Sequence, residues 1–334
     1  MIRIGILGAG AMGSVHAAAW AAIENAQVIG VFSRDPARAG ATAALCSAEP
    51  VSDWQILIAR SDIDAIDVCL PSAVHRSVVV PALQAGKHVF CETPLALDLD
   101  DAEAMRGAAR RAGRLLHVGL LMRSLAQYRH VKALVTSGEH GRLLSLAAWR
   151  LGSYLRPGAP DRKAHYSDPS TELTTFDFDF IQWLMGRPDY LSATATRTPH
   201  DLPGEISALL GYADGRQATV QASALMPTGF PFTVGFRALF ERAGFELHSV
   251  FEGGPPRSSF TTFRDNVPGE VVTLPGSDPY QAELRHFAEC IEGRADRDLY
   301  DVDRAIEALQ LSIATQHALA GGGAVKLSGW VSSD

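Results

Sequence analysis

The stretch that most limits what this chain can become runs from Ile2 to Leu7, through Gly8-Ala9-Gly10-Ala11-Met12-Gly13, into an Ala-rich segment ending near Ile23. It reads as a strand, a tight glycine turn and a helix. In such a turn the first glycine reverses the chain, the second lets backbone approach a pyrophosphate, and the third lets helix pack on strand. The phosphates then sit at the helix N-terminus, held by backbone amides. A second strand, Val28 to Phe32, follows about twenty residues on, as a dinucleotide-binding unit requires. A purely structural glycine turn would leave the second and third glycines without a task. Gly8, Gly10, Ala11, Met12 and Gly13 are therefore the expected phosphate-binding residues.

The end of that second strand is informative. A carboxylate there would grip a ribose 2′-OH, whereas an arginine accommodates a 2′-phosphate. This chain has Ser33-Arg34, with Arg38 one helical turn on. A hydroxyl and two guanidinium groups suit a phosphate dianion, so NADP is expected ahead of NAD. The alternative is that Arg34 stacks on adenine while Asp35 caps the helix that begins at Pro36.

The 334 residues suffice for two domains with cores of their own, and 47% hydrophobic with 20% charged residues is an ordinary globular balance. A formal charge of −7 without basic clusters speaks against nucleic acid or an anionic membrane surface as partner. With a strand starting at residue 2 there is no room for a signal peptide, and no apolar run reaches membrane-spanning length, so a cytoplasmic protein is expected. Cys46, Cys69, Cys91 and Cys290 show neither C-x-x-C spacing nor companion histidines and read as buried, reduced thiols.

Beyond Pro36 the pattern predicts a helix with Ala37, Ala41 and Leu45 on one face, then a short helix at Trp54 to Leu57. The apolar run Ala65 to Leu70 reads as a strand buried on both faces, with a helix over Val78 to Ala85 after it. Ligands of open α/β sheets lie outside the carboxyl ends of the strands, so Leu70-Pro71-Ser72 and His75 should face the coenzyme, with a surface helix start as the alternative for His75. Glu92-Thr93-Pro94 ends the next strand, His88 to Cys91, in the same way. A helix from Asp98 to Ala112, stopped by Gly113, and a strand at Leu115 to Val118 complete a doubly wound domain over residues 1–122.

From residue 123 to 334 the pattern becomes α+β. A helix over Leu125 to Thr136 precedes candidate strands Leu143 to Leu151, Tyr190 to Arg197, Glu205 to Tyr212, Gln217 to Ala224, Phe232 to Phe240 and Phe245 to Phe251. Asp214-Gly215 marks a hairpin. Helices over Tyr280 to Ile291 and Val302 to Leu319 end the pattern. One large, mostly antiparallel open sheet is expected.

The glycine loop, Leu70-Pro71-Ser72-Ala73-Val74-His75, Ala85-Gly86-Lys87-His88-Val89 and Cys91-Glu92-Thr93-Pro94-Leu95-Ala96 resemble the Gfo/Idh/MocA family of glucose-fructose oxidoreductases and inositol dehydrogenases. Val118-Gly119 with Arg123, Gly138 with Gly141, Trp183-Leu184-Met185-Gly186-Arg187-Pro188, and Tyr280, Glu283 and Phe287 extend the resemblance over nearly the whole chain. It implies a coenzyme-binding Rossmann domain, a substrate domain and a homodimer or homotetramer formed through the C-terminal sheet.

The resemblance also implies a catalytic Lys in a Glu-Lys-Pro motif and an Asp and His four residues apart on a helix. Here Thr93, Glu172 and Phe176 stand at those positions. Oxidising an alcohol needs a group to take the hydroxyl proton and a donor to hold the developing charge. Glu172 is the candidate base, its pKa raised by Phe176 or lowered by Arg123. Thr93 can donate a hydrogen bond but brings no charge. Lys163, His165 and Tyr166, in the irregular segment before the helix, are candidate substitutes or plain loop residues. The i, i+4, i+7, i+11 spacing of Glu172, Phe176, Asp179 and Trp183 puts them on one helical face. Of Asp177 and Asp179, which flank Phe178, one is expected at the domain boundary and the other in a structural contact. Arg123, Phe176, Asp179 and Tyr280 are candidate substrate-binding residues, with core packing an equal alternative for Tyr280. The readings are an NAD(P)-dependent oxidoreductase acting on a sugar, cyclitol or hydroxy-aldehyde, a non-catalytic NAD(P)-binding sensor, and a lyase or glycosidase with tightly held coenzyme. No metal is expected.

Overall fold

The computed structural model describes residues 1–156, 168–253 and 256–329. Two compact units emerge, Met1–Leu125 with Gly276–Ile306, and Ala126–Pro275 with Glu307–Asp334. Residues 276–306, which sequence pattern groups with the C-terminal half, belong to the first unit. The reason is apolar burial: Leu284, Phe287, Ala288 and Cys290 lie in one core cluster with Ile4, Ile6, Trp20 and Phe90.

The first unit is built in the order β1 (Ile2–Leu7), α1 (Ala11–Ala21), β2 (Ala26–Phe32), α2 (Pro36–Ala44), β3 (Glu49–Val51), α3 (Trp54–Ala59), β4 (Ala65–Val68), α4 (His75–Gln84), β5 (His88–Cys91), α5 (Leu99–Ala112) and β6 (Leu116–Val118). Its six strands lie in the order β3-β2-β1-β4-β5-β6, every pairing parallel. The central strands are buried on both faces, which is why they read as continuous apolar runs. Gly113 ends α5 in the left-handed region at φ +62°, the stop its position announces.

Two features of this unit lie beyond what sequence periodicity shows. Helix α2 buries Ala39, Thr42 and Ala43, whereas Ala37, Ala41 and Leu45 face solvent. A run of small residues is apolar on both sides, so periodicity cannot tell which side packs. Strand β3 escapes a pattern search because it is three residues long and carries Pro50, consistent with its place at the sheet edge.

The second unit contributes α6 (Ala126–Ser137), β7 (Leu143–Leu151), α7 (Pro169–Glu172), α8 (Thr174–Met185), β8 (Tyr190–Arg197), β9 (Pro203–Gly211), β10 (Gln217–Ser223), β11 (Phe232–Phe240), β12 (Gly244–Phe251), β13 (Arg257–Arg264) and β14 (Val267–Val271). The chain returns to the first unit in α9 (Pro279–Ile291), and α10 (Val302–Gly321) and β15 (Val325–Lys326) follow. The nine-stranded sheet runs β14-β13-β12-β11-β7-β10-β9-β8-β15, antiparallel except for the β7–β10 pair. One face of β7 buries Leu146, Ala148 and Arg150. Tyr128, Phe180 and Phe236 form the core beneath it, with ring centroids 4.5 to 5.0 Å apart. Strand β14 is exposed throughout and β13 except at Phe260, Thr261 and Thr262, which removes the alternation that would announce them.

The helix expected to carry Glu172, Phe176, Asp179 and Trp183 on one face is in fact two helices. Leu173, at φ −102° and ψ −42°, separates α7 from α8. Thr174 Oγ1 donates to the Ser170 carbonyl at 2.5 Å and Thr175 Oγ1 to the Thr171 carbonyl at 2.6 Å. Such hydroxyls compete with the helix ladder for its carbonyls and bend it. Glu172 therefore ends one helix while the other three residues ride on the next.

Candidate coenzyme site and the carboxylates beside it

The glycine loop is held by backbone contacts that only glycine permits. Gly8 has φ +116°, and a Cβ there would stand 2.4 Å from the Cys69 carbonyl oxygen. A Cβ on Gly13 would come 1.9 Å from the Gly8 carbonyl oxygen. Gly10 differs, because nothing lies within 4 Å of a Cβ built on it. Gly8 and Gly13 thus shape the turn, and Gly10 leaves open the space in front of it. Gly10 caps α1 without a side chain, and no acidic residue sits in the first turn. The amides of Ala11, Met12 and Gly13 therefore face a region with no competing side-chain oxygen, an arrangement that fits a pyrophosphate.

At the end of β2, Arg34 is exposed and Ser33 half-buried. The Ser33 hydroxyl accepts from the Asp35 amide at 3.2 Å. Asp35 caps α2 by accepting from Ala37 and Arg38 amides, and the Arg38 guanidinium lies 3.4 Å from its carboxylate. Arg34 is thus the cation of this trio that no ion pair of the described residues engages.

His75 is only 1% exposed, not a surface helix start. Its Nε2 lies 2.8 Å from the Leu70 carbonyl oxygen and its Nδ1 3.0 Å from that of Leu95, and Cys91 Sγ is 3.2 Å from Nδ1. Burial lowers its pKa. A neutral ring donating from Nε2 ties the Leu70-Pro71-Ser72 loop to the body of the unit, so His75 serves the loop rather than presenting its ring outward. Cys69 Sγ likewise lies 3.3 Å from His16 Nδ1, so two of the thiols do have companion histidines, at distances in sequence that spacing does not reveal. All four cysteines are free thiols.

Thr93 also differs from expectation. Its hydroxyl donates to the Gly119 carbonyl at 2.8 Å, so that proton is already used inside the unit. The Thr93 amide donates to Glu92 Oε2 at 3.2 Å. Arg123 is 4% exposed and donates from Nη1 to the Leu299 carbonyl at 2.9 Å, which ties it to the loop before α10.

The feature that sequence reasoning missed lies under the glycine loop. His16 on α1 is fully buried, with Nδ1 2.9 Å from Asp67 Oδ2, and Asp67 also accepts from Trp20 Nε1 at 2.7 Å. His16 Nε2 lies 2.6 Å from Glu92 Oε1, although the two are not aligned as a regular hydrogen bond. Burial opposes a charge on His16, but Asp67 and Cys69 outweigh it and hold the pKa well above the usual value. Glu283 on α9 is 1% exposed and neither of its oxygens has a hydrogen-bond partner. Tyr280 packs its ring 6.0 Å from that of His16 and lies, partly buried, against the core around it. The signals were present as charges at buried positions: His16 one turn after Gly13, and Asp67 inside an apolar strand.

In the second unit, Asp168 caps α7 and accepts from the Ser170 amide at 2.8 Å, and Glu172 at the other end is 8% exposed. Asp177 makes the structural contact, 3.3 Å from Arg150 Nη2 with both groups buried. Burial pushes its pKa up despite the neighbouring cation. The Arg150 guanidinium lies 4.6 Å from the Phe176 ring centroid, so Phe176 is a cation–π platform. Asp179 is 2% exposed. His165, Tyr166 and Lys163 lie outside the described residues.

Residues 2–120 match the family described as "Oxidoreductase family, NAD-binding Rossmann fold" (GFO_IDH_MocA), and residues 128–246 match the "GFO/IDH/MocA C-terminal domain". The chain is 36% identical over 304 residues to dTDP-3,4-didehydro-2,6-dideoxy-alpha-D-glucose 3-reductase of Saccharopolyspora spinosa, covering 87% of each chain. It is 28% identical over 333 residues to inositol 2-dehydrogenase 2 of Saccharopolyspora erythraea, covering 94% of each. Its fold matches that of KijD10, a 3-ketoreductase from Actinomadura kijaniata solved with NADP and TDP-benzene, at a TM-score of 0.83 and 23% identity over 95% of this chain and 98% of that one.

Proposed function

Because the chain belongs to the Gfo/Idh/MocA family of NAD(P)-binding oxidoreductases, we propose that it transfers hydride between NADP and a hydroxyl- or carbonyl-bearing sugar-like small molecule. The observation that carries the reading is the glycine loop, whose Gly10 leaves space open in front of three uncapped amides. The sugar-like substrate is inferred from the relatives, which are named for a deoxysugar nucleotide and for inositol. NADP is preferred over NAD because Arg34 is exposed and Asp35, the next residue, is committed to the α2 cap and to Arg38.

When bound, the nicotinamide supplies or accepts the hydride. Glu172, 8% exposed at the end of α7, takes or returns the hydroxyl proton. Thr93 holds the turn rather than the substrate, since its hydroxyl is spent on Gly119. His165 and Tyr166 remain the candidate donors for the substrate oxygen. The second face of the nine-stranded sheet carries exposed Leu209 and Leu239 beside half-buried Trp149, and a second copy of the chain covers it. No described helix is long and apolar enough to cross a membrane, and the negative formal charge and reduced cysteines favour a cytoplasmic protein without a nucleic-acid partner. The test is coenzyme absorbance followed with a panel of nucleotide-linked deoxysugars, cyclitols and hydroxy-aldehydes. Turnover with one class supports the reading; binding without turnover across the panel supports a coenzyme-binding sensor instead.

A further inference from the structure

The carboxylates beneath the glycine loop are not balanced by the cations around them. Around His16 stand Asp67 from β4, Glu92 from the end of β5 and Glu283 from α9, with Cys69 and Tyr280 completing the polar groups and Asp278 at the head of α9. Asp67 is satisfied by His16 and Trp20. Glu92 has His16 on one oxygen and the Thr93 amide on the other, and its side chain keeps 15% exposure. Glu283 has nothing: its oxygens are buried without a donor. Around the cluster the packing is aromatic, with Phe90 5.7 Å from His16 and Phe287 5.7 Å from Phe90.

One imidazolium cannot neutralise two buried carboxylates, Asp67 and Glu283, and the half-buried Glu92 beside them. A third unpaired negative charge in an apolar wall is among the most expensive groups a fold can contain, and such groups neutralise instead. His16, Glu92 and Glu283 each offer one atom within 4.8 Å of the others, so a single positive species can serve all three. A metal ion fits poorly. His16 Nε2 and Glu92 Oε1 are 2.6 Å apart, whereas two ligands each about 2.0–2.2 Å from one zinc in tetrahedral geometry stand more than ~3 Å apart. A proton needs no such room.

We propose that Glu283 carries a proton at neutral pH and shares it as a hydrogen bond to Glu92, and that this proton and His16 together lock Glu92 beneath the Thr93–Pro94 turn. Glu283 and His16 are then positioning residues. They fix Glu92, and Glu92 fixes the Thr93 amide at the carboxyl end of β5, where a coenzyme of an open α/β sheet lies. Burial and the adjacent Glu92 carboxylate both raise the Glu283 pKa well above the carboxylate range, with His16 working against them. The role rests on the coenzyme reading above, but the shared proton itself does not.

Infrared spectroscopy of the full chain at pH 7, without coenzyme, tests it directly. The wild type is expected to show the carbonyl stretch of a buried, protonated carboxylic acid, and Glu283→Gln to lose it. Glu283→Gln keeps a neutral donor toward Glu92, so kcat stays within about twofold, whereas Glu283→Leu lowers it about tenfold with coenzyme affinity retained. The pH dependence of unfolding separates this from a merely structural role. A carboxyl whose folded pKa is raised binds its proton more tightly when folded, so stability falls as pH rises above the unfolded value of about 4.5, and Glu283→Gln removes that slope. An infrared band unchanged in Glu283→Gln, or a stoichiometric divalent ion in the purified protein that the substitution expels, overturns the proposal. Failure of coenzyme binding with the band intact would strike the functional reading alone.

Discussion

Gly8 and Gly13 approach so closely that one added methyl on Gly13 would sit 1.9 Å from the Gly8 carbonyl oxygen. Gly10, two residues from Gly8, has open space where its Cβ would be. The two positions therefore separate folding from binding. Gly13→Ala should destabilise the first unit, by roughly 1–3 kcal/mol as overpacking does, with a lower urea midpoint. Gly10→Ala should leave the unfolding free energy within about 0.5 kcal/mol of wild type while weakening coenzyme binding. Equal loss of stability in both would mean the loop has no open side.

Asp177 and Arg150 make a second, independent test, because the pair is buried and one partner cannot be removed alone. Asp177→Ala takes away the buried carboxylate 3.3 Å from the guanidinium that stacks on Phe176 and should cost about 3–5 kcal/mol in chemical denaturation. Combining Asp177→Leu with Arg150→Met should recover most of that loss. If the double variant is as unstable as the single one, the charge is not what the site depends on.

The balance of what sequence pattern conveys and what it hides follows from these residues. The glycine turn, the parallel character of the first sheet and most strand bounds were legible, because period and turn chemistry act locally. Asp35 as the α2 cap and Asp214-Gly215 as the β9–β10 hairpin were legible for the same reason, and Gly215 has the expected positive φ of +85°. Long-range pairing was not. His16, Asp67, Glu92 and Glu283 come from four elements, and no spacing links residue 16 to residue 283. The α7–α8 break was hidden because Thr174 and Thr175 are tolerable within a helix, and only their hydroxyl bonds to Ser170 and Thr171 show the interruption.

His117 and His88 fix the direction of the acid response. Burial, then His286, pushes His117 down to about 3, and burial, then Arg114, pushes His88 down to about 4. Between those values and about 6.5 the unfolded chain binds more protons than the folded one. The share of stability that these two histidines carry is therefore full above pH 6.5 and is lost as pH falls toward 4. His117, the more buried, contributes on the order of 3 kcal/mol of this. The gap between urea midpoints at pH 7 and pH 5 should shrink by about half in His117→Leu, with His88 supplying the rest; an undiminished gap would assign the acid sensitivity elsewhere.

Glu172→Gln should lower kcat by roughly 10²-fold while coenzyme affinity is unchanged, if this carboxylate is the base. Folding is checked by the urea midpoint, since Glu172 is 8% exposed and Gln preserves its shape. An unaltered rate removes Glu172 from the proton transfer and leaves the segment holding His165 and Tyr166 as its source.

The central claim is that α1 receives the pyrophosphate of a pyridine dinucleotide and Arg34 its 2′-phosphate, and fluorescence titration of the purified chain with NADPH and NADH measures this most directly. Saturable binding of both is expected, tighter for NADPH, with Arg34→Ala weakening NADPH about 10–100-fold and NADH little. Binding of neither coenzyme would contradict the account at its base, and equal weakening of both by Arg34→Ala would contradict the phosphate contact.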